Sequence, residues 1–154
     1  MFLAVSIDGL HWRRGGLKRF YDICKAKHLK ITPQRVAVYE MIKNSTTHPS
    51  ADLVHKKIKE TFPNISLDTV NRTLLTFAEI GIIDVVEGHG DPRRFDPNLD
   101  THHHFYCLGC NRIIDLYDEE LNHIRISDTI SNKYTITSKR VYLKGFCDKC
   151  GKRA

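Results

Sequence analysis

The stretch SLDTVNRTLLTFAEIGIIDVV, residues 66–86, decides the fold, because a helical pattern in it gives way to a strand pattern. Its apolar residues at i, i+4, i+7 and i+8 form one helix face: Val70, Leu74, Phe77 and Ala78. Gly81 ends this helix, and residues 82–86 are strand-like. Turn residues at 88–92 let residues 93–96 return as the second strand of a hairpin. A helix followed by a small hairpin predicts a winged helix-turn-helix.

The chain before this stretch predicts three more helices. The first covers residues 17–28, and the next two begin after Thr32 and Ser50. Both residue types cap helices, because their hydroxyl oxygens accept a hydrogen bond from a backbone N–H of the first turn. We therefore expect a winged-helix domain over residues 17–96, preceded by an N-terminal extension over residues 1–16.

The second half of the chain predicts a mixture of strands and a helix. Residues 97–100 have the composition of a linker, or hinge. The strand patterns cover residues 105–107, 113–116 and 140–144, and a helix pattern covers residues 119–130. These elements predict a C-terminal α/β domain over residues 101–154. The whole chain is therefore expected to belong to the α+β class.

The composition is that of a globular, basic protein. The 154 residues include 24 Lys and Arg against 18 Asp and Glu, a formal net charge of +6, and 41% of them are hydrophobic. A basic balance is compatible with a nucleic-acid partner without establishing one. No apolar run approaches the ~20 residues of a membrane span. Arg13 and Arg14 follow the apolar opening, the wrong order for a secretory signal. We expect a cytoplasmic protein with no membrane partner.

Four of the five cysteines form two Cys-x-x-Cys pairs, Cys107 with Cys110 and Cys147 with Cys150. Each pair can place two thiolates on one ion, and two pairs complete the tetrahedron that Zn²⁺ prefers. Four thiolates leave no open position, so the predicted role of this zinc is structural. The alternatives are a pair of redox motifs or unrelated cysteines, but a redox pair normally opens a helix and neither pair precedes a helical pattern. Cys24 lies on an apolar helix stripe and is interpreted as a core residue.

A second candidate metal site begins with the run His102-His103-His104. Alternate residues of a strand share a face, so His102 and His104 point together, while His103 points away and is expected at solvent. Further candidate ligands are His48, Asp96 and Asp115. A mixed histidine and carboxylate set suits Fe²⁺ or Mn²⁺ and would also accept Zn²⁺. From spacing alone these three have simpler interpretations: a loop residue before a helix, a turn residue and an edge-strand acid, in that order.

Several short motifs together resemble the ferric uptake regulator (Fur) superfamily, and most of all its peroxide-sensing PerR branch. The motifs are Ile31-Thr32-Pro33-Gln34-Arg35, His48-Pro49-Ser50-Ala51, Ser66-Leu67-Asp68-Thr69-Val70, Arg72-Thr73-Leu74, Arg94-Phe95-Asp96 and the run from His102 to Cys110 with Asp115. The resemblance covers about residues 17–151. It implies a homodimeric, metal-dependent transcriptional repressor that binds double-stranded DNA at an inverted-repeat operator.

The resemblance also assigns the two metal sites. It implies that the structural Zn²⁺ is held by Cys107, Cys110, Cys147 and Cys150. It implies that the regulatory ion, Fe²⁺ or Mn²⁺, is bound by His48, Asp96, His102, His104 and Asp115. With Fe²⁺ bound, peroxide is expected to oxidise a ligand histidine, His48 or His102, and so to release the repressor from DNA. Such a switch reacts once, irreversibly and without turnover, so we do not expect an enzyme.

Details of the resemblance separate the branches of this superfamily. The iron-sensing branch typically carries glutamate where this chain has Asp115, which favours peroxide sensing. Thr101, Asn122 and Lys139 stand near the ligand positions of a further metal site of iron sensors, so we expect that site to be absent. Asn71 occupies a position of the recognition helix where the family usually has tyrosine, and an asparagine can read adenine in the major groove.

The expected DNA contacts lie on the side of the recognition helix opposite its apolar face. They are Thr69, Asn71, Arg72 and Thr73, with Arg35 toward phosphates. Two alternatives remain: an iron-responsive repressor of the same superfamily, and, in a different class, a zinc-dependent enzyme or a zinc-ribbon module. A zinc hydrolase needs a general base beside an open zinc, and the sequence has no His-x-x-x-His pair with an interior glutamate.

Overall fold

The computed structural model describes residues 16–86 and 92–151, and the chain divides into two compact units after Asp100. The predicted N-terminal extension lies outside the described residues except for Gly16, and so do residues 88–91 of the predicted turn. The described residues contain both α-helices and β-sheets, which confirms the expected α+β class. No helix in these two ranges is long and apolar enough to cross a membrane.

The first unit contains four helices followed by a two-stranded sheet. The helices are α1 (Gly16–Ala26), α2 (Pro33–Ile42), α3 (Ala51–Ile58) and α4 (Leu67–Glu79). The strands are β1 (Asp84–Val86) and β2 (Arg94–Asp96), which pair antiparallel. Gly81 follows α4 with a φ of 76°, a left-handed conformation that ends a helix and favours glycine. The order of elements is that of the predicted winged helix-turn-helix.

Local caps and one aromatic cluster place these helices. The hydroxyl oxygens of Thr32, Ser50 and Ser66 accept hydrogen bonds from the backbone N–H of Arg35, Leu53 and Thr69. Each cap fixes where a helix begins and contributes roughly 1 kcal/mol. Phe20 stacks on Tyr39 at 4.4 Å between ring centroids and meets Phe77 edge to face at 5.5 Å. These contacts join α1, α2 and α4, and Cys24 is fully buried in the same core, as predicted.

The second unit contains a three-stranded sheet with β3 (His103–Cys107) at its centre. On one side β4 (Ile113–Leu116) pairs with it antiparallel, and on the other β5 (Tyr142–Gly145) pairs with it parallel. The connection from β4 to β5 includes two short helices, α5 (Glu119–Asn122) and α6 (Asp128–Ser131). The sheet brings the histidine run of β3 and the acidic residue of β4 into the same layer.

The single helix predicted over residues 119–130 is wrong. The chain leaves the helix after Asn122 and starts the second short helix at Asp128. Nζ of Lys139 donates hydrogen bonds to the carbonyl oxygens of Asn122 and Ile124, at 2.6 and 2.8 Å. A continuous helix would direct those carbonyls to its own N–H groups four residues on. A side chain distant in sequence therefore interrupts a pattern that local periodicity describes as one helix.

Candidate metal centres and DNA-facing surface

The four cysteines of the two Cys-x-x-Cys pairs converge in the second unit, where their sulfurs all lie within 4.8 Å of one another. Sγ of Cys110 is 3.9 Å from Sγ of Cys147. Tetrahedral zinc with Zn–S bonds of ~2.3 Å holds its sulfurs about 3.8 Å apart, so the spacing fits. At Gly109 a Cβ would lie 2.8 Å from Cβ of Cys150, so the close approach of the two pairs requires glycine there.

The protonation of these thiols also fits a bound cation. The backbone N–H of Cys147 donates to Sγ of Cys107 at 3.3 Å and lowers the pKa of that thiol to about 6. Hydrogen bonding to Cys147, together with burial, raises the pKa of Cys150 to about 12. Four thiolates at this spacing repel one another unless a cation compensates their charge. The cluster therefore suits structural Zn²⁺, whose charge would stabilise all four thiolates.

Three histidine and carboxylate donors lie together on one face of the sheet in the second unit. The Nε2 atoms of His102 and His104 are 2.9 Å apart. Oδ1 of Asp115 lies 3.8 Å from the first of these nitrogens and 3.7 Å from the second. Both histidines are buried, and Asp115 is 18% exposed. Asp115 stands opposite His104 in the antiparallel pairing of β3 and β4, so the strand register itself sets this geometry.

His103 points to the opposite face, as alternation predicts, but it does not reach solvent. It is fully buried, so the expected exposure is wrong. Its Nδ1 accepts a hydrogen bond from the backbone N–H of Val141 at 3.1 Å. The proton must then be on Nε2, which lies 3.0 Å from Oδ1 of Asn122 and donates to it. His103 therefore ties the central strand to the connection that leads to β5.

His48 and Asp96 lie together in the first unit. Nε2 of His48 is 3.7 Å from Oδ2 of Asp96, and the two side chains are at most 2% exposed. The loop that carries His48 is held to β2, because the N–H of Phe95 donates to the carbonyl oxygen of Pro49 at 3.1 Å. His48 has a φ of 48°, in the left-handed region that costs most residues conformational energy. Strain of this kind in a buried polar residue is typical of functional sites.

Two residues that sequence reasoning did not single out support these donor sets. The backbone N–H of Asn98 donates to Oδ1 of Asp96 at 2.8 Å, which fixes the orientation of that carboxylate. Arg112 donates hydrogen bonds to the sulfurs of Cys110 and Cys147. Each of these residues stands two positions after a predicted ligand in the sequence, Asn98 after Asp96 and Arg112 after Cys110. That short spacing is the sequence feature that could have indicated them.

The predicted DNA-binding residues all lie in the first unit, beside two grooves. One groove lies between the start of α2 and the α4 helix, and its lining includes Arg35, Thr69, Arg72 and Thr73. Asn71 lines a second groove together with Arg93, close to the start of β2. Thr73 is only 7% exposed, and its hydroxyl donates to the carbonyl oxygen of Thr69 at 2.7 Å. The structure thus places Thr73 within the packing of α4 rather than on its outer face.

Comparison with known proteins identifies the family. The sequence model of the ferric uptake regulator family matches residues 26–144 of the chain. The chain belongs to the ferric uptake regulator family. The peroxide-responsive repressor PerR of Staphylococcus aureus is 34% identical to it over 122 residues, which are 79% of this chain and 82% of that relative.

Two solved structures of Fur-family proteins are similar to this chain. One is the ferric uptake regulator Fur of Helicobacter pylori, described as having three functional metal-binding sites. It matches with a TM-score of 0.74 and 26% identity, and the match covers 88% of this chain and 91% of that one. PerR from Streptococcus pyogenes, studied for peroxide sensing and gene regulation, has a TM-score of 0.51 and 27% identity, covering 88% of this chain and 92% of that one.

Fur-family membership gives the two units their roles. The helical first unit corresponds to the N-terminal DNA-binding domain of the family, and the second unit corresponds to its C-terminal dimerisation domain. Members of the family are metal-dependent transcriptional regulators rather than enzymes. In this Fur-family chain the sulfur cluster suits zinc, and the nitrogen and oxygen donors suit iron or manganese.

Proposed function

We propose that this chain is a cytoplasmic, homodimeric repressor that senses peroxide through oxidation of a histidine ligand. The observation that carries the proposal is the buried set of His102, His104 and Asp115, whose nitrogen and oxygen donors face one another. A set of this kind binds Fe²⁺, the ion that reacts with peroxide, and it includes aspartate rather than glutamate. The 34% identity with a peroxide-responsive repressor supports the same assignment.

The regulatory ion takes its ligands from both units in this proposal. His102, His104 and Asp115 offer three donors in the second unit, and His48 and Asp96 offer two in the first. Neither set alone provides the five donors that we assign to Fe²⁺ or Mn²⁺. An ion bound by all five selects one arrangement of the units from those that the chain can adopt.

That selection controls DNA binding because the repressor acts as a dimer. Two copies of α4 must fit successive major grooves of a duplex, about 34 Å apart. In each copy Thr69, Asn71 and Arg72 of α4 are assigned to the DNA-facing surface, and Arg35 to a phosphate. The buried Thr73 is left out of this set. The matching arrangement of two identical helices explains the preference for an inverted repeat.

Peroxide ends the repression by changing one ligand. Fe²⁺ held by these ligands would supply the redox chemistry that activates peroxide. In the net change, one peroxide oxygen is inserted at a ring carbon of His48 or His102, and the other oxygen leaves as water. The modified ring is a poorer donor, because oxidation of the carbon between its two nitrogens makes the ring amide-like. The regulatory ion is then held less tightly, and the units are no longer fixed in the DNA-binding arrangement.

The test compares two metal forms of the full chain. A duplex is first selected from a random-sequence pool with the Mn²⁺ form. The Fe²⁺ form, prepared without oxygen, then receives one equivalent of hydrogen peroxide. We expect peptide mass spectrometry to find one added oxygen on His48 or His102, and the electrophoretic shift of the selected duplex to disappear. The Mn²⁺ form should remain unmodified and bound.

An unmodified Fe²⁺ form that still binds the duplex would contradict peroxide sensing and favour an iron-responsive repressor. That outcome would next be examined by removing iron with a chelator, which should release an iron-responsive repressor from DNA. Absence of any metal-dependent shift would contradict the regulatory role of the ion altogether.

A further inference from the structure

Arg112 connects the two halves of the sulfur cluster. Its Nε donates to Sγ of Cys110 at 3.2 Å, and its Nη2 donates to Sγ of Cys147, also at 3.2 Å. One guanidinium therefore contacts one sulfur of each Cys-x-x-Cys pair. The backbone at this residue is fixed as well, because its carbonyl oxygen accepts from the N–H of Cys107 at 2.9 Å. Both the backbone and the guanidinium of Arg112 therefore contact residues of the cluster.

Arg112 contacts the cluster sulfur that is most open to oxidation, that of the exposed Cys110, and a second sulfur, that of the buried Cys147. Cys110 is exposed, whereas Cys107 is fully buried. The sulfurs of Cys110 and Cys147 are 3.9 Å apart, close enough to form a disulfide after a small movement. A peroxide molecule from solvent would meet the sulfur of Cys110 first, and Cys147, whose sulfur is 3.9 Å away, could then act as the resolving thiolate.

Oxidation of these two cysteines by peroxide would proceed in two balanced steps. The thiolate of Cys110 attacks one oxygen of hydrogen peroxide, the O–O bond breaks, and the products are a sulfenic acid and hydroxide. The thiolate of Cys147 then attacks the sulfenic sulfur, forms the disulfide and displaces a second hydroxide. Peroxide is reduced by two electrons, the two thiolates are oxidised by two, and only two of the four cysteines would remain to hold zinc.

We propose that Arg112 protects the zinc site from the peroxide that the repressor senses. This inference rests on the proposed function, which brings peroxide to a protein with four zinc-bound thiolates. Two N–H···S hydrogen bonds from a cation withdraw electron density from both sulfurs, and a less basic thiolate is a weaker nucleophile. Outer-shell donors of this kind are known to tune metal-bound ligands strongly. Arg112 thereby directs oxidation away from the cysteines and leaves the histidine ligands as the reactive groups.

A purely structural role for Arg112 makes a different prediction. If it only held the two pairs together, its loss would speed zinc release under every condition. If it lowers thiolate reactivity, its loss would speed only the release that peroxide drives. Zinc release must therefore be measured both with hydrogen peroxide and with a chelator alone.

The experiment uses the full-length Mn²⁺ form, so that iron chemistry is absent. The variants are Arg112→Gln, which removes the charge and the paired donors, and Arg112→Lys, which keeps the charge on a single donor group. Arg125→Gln is the matched control, because this exposed arginine of the same unit contacts Asp128 rather than a sulfur. Zinc content is measured first, and zinc release into a chromogenic chelator is then followed with and without hydrogen peroxide.

We expect peroxide to release zinc about tenfold faster from Arg112→Gln than from the unmodified chain, which corresponds to about 1.4 kcal/mol of activation free energy. Arg112→Lys should lie between them, and Arg125→Gln should match the unmodified chain. Mass spectrometry should find the new disulfide between Cys110 and Cys147. Release by the chelator alone should be the same in all four proteins.

Equal peroxide-driven rates in Arg112→Gln and Arg125→Gln would overturn the inference and leave the proposed function intact. Equal acceleration with and without peroxide would also overturn it, in favour of a structural clamp. If Arg112→Gln is recovered without zinc, the rates of zinc release from Arg112→Lys and from the unmodified chain are compared instead, with and without peroxide. The same two outcomes then overturn the inference. An unmodified chain without zinc would instead contradict the structural zinc of the proposed function.

Discussion

The two candidate metal centres differ in donor chemistry and in the part of the chain that supplies the donors. The cysteine centre takes four sulfurs from the second unit and leaves no open position. The histidine and carboxylate donors form one set in the second unit and another in the first. A centre built within one unit can stabilise that unit permanently. In the proposed function, donors supplied by two units make the arrangement of those units depend on an ion, so stability and sensing would be assigned to different centres.

The largest expected effect comes from breaking the cysteine centre. We predict that Cys107→Ser loses zinc and the dimer together, because structural zinc sites are worth about 10–16 kcal/mol in small zinc-binding peptides. Metal analysis and sedimentation velocity measure the two losses. Cys24→Ala is the control, since this buried cysteine lies in the core of the first unit and should leave both zinc and dimer in place. A stable dimer without zinc would contradict the structural role.

The next effect isolates sensing from stability. We predict that His48→Ala keeps zinc and the dimer but weakens binding of the regulatory ion at least about 100-fold, since even outer-shell changes cost 10- to 100-fold in metal affinity. Isothermal titration with Mn²⁺ measures the affinity. His28→Ala is a matched control, because His28 also has a left-handed backbone, with a φ of 53°, but is exposed. Loss of zinc in His48→Ala would show that the two centres are not independent.

A smaller effect concerns the support behind the histidine set. Asn122→Ala leaves Nε2–H of the buried His103 without its acceptor, and an unsatisfied buried donor costs about 1–3 kcal/mol. We predict a lower free energy of unfolding, measured by urea denaturation, and weaker Mn²⁺ binding with zinc unchanged. Asn132→Ala, at an exposed asparagine of the same unit, should change neither quantity. Equal behaviour of the two variants would contradict the supporting role of His103.

The smallest effect falls outside both centres. If Asn71 reads an adenine, Asn71→Ala should lose about 1 kcal/mol of discrimination at that base, the lower end of the range for one bidentate contact. Binding of the selected duplex and of single-base variants measures it, with both metals retained. Asn64→Ala, in the loop before α4, is a control that keeps full discrimination. Unchanged discrimination in Asn71→Ala would remove this residue from base reading.

Local patterns were sufficient to predict most of the first unit. Caps at Thr32, Ser50 and Ser66, apolar spacing along α4 and the stop at Gly81 are short-range signals, and each appears in the structure. The cysteine centre was equally predictable, because a spacing of two residues already places two sulfurs on one ion. The strand alternation of His102 and His104 likewise needed no distant partner.

The wrong predictions in the second unit depend on partners far away in sequence. The break in the helix predicted over residues 119–130 comes from Lys139, and the burial of His103 comes from Asn122 and Val141. The hydrogen bond from Arg112 to Cys147, which the sequence analysis did not anticipate, joins residues 35 positions apart. Hydrophobic periodicity describes one helix or strand at a time, so it cannot predict contacts between residues that are distant in sequence.

The most direct test of the account is one mass measurement on both centres in the same sample. The Fe²⁺ form receives one equivalent of hydrogen peroxide, and native mass spectrometry and peptide mapping then follow zinc and oxygen together. The account predicts one added oxygen per protomer on His48 or His102, with zinc retained and the cysteines reduced. Loss of zinc with a disulfide between cysteines, and unmodified histidines, would contradict it.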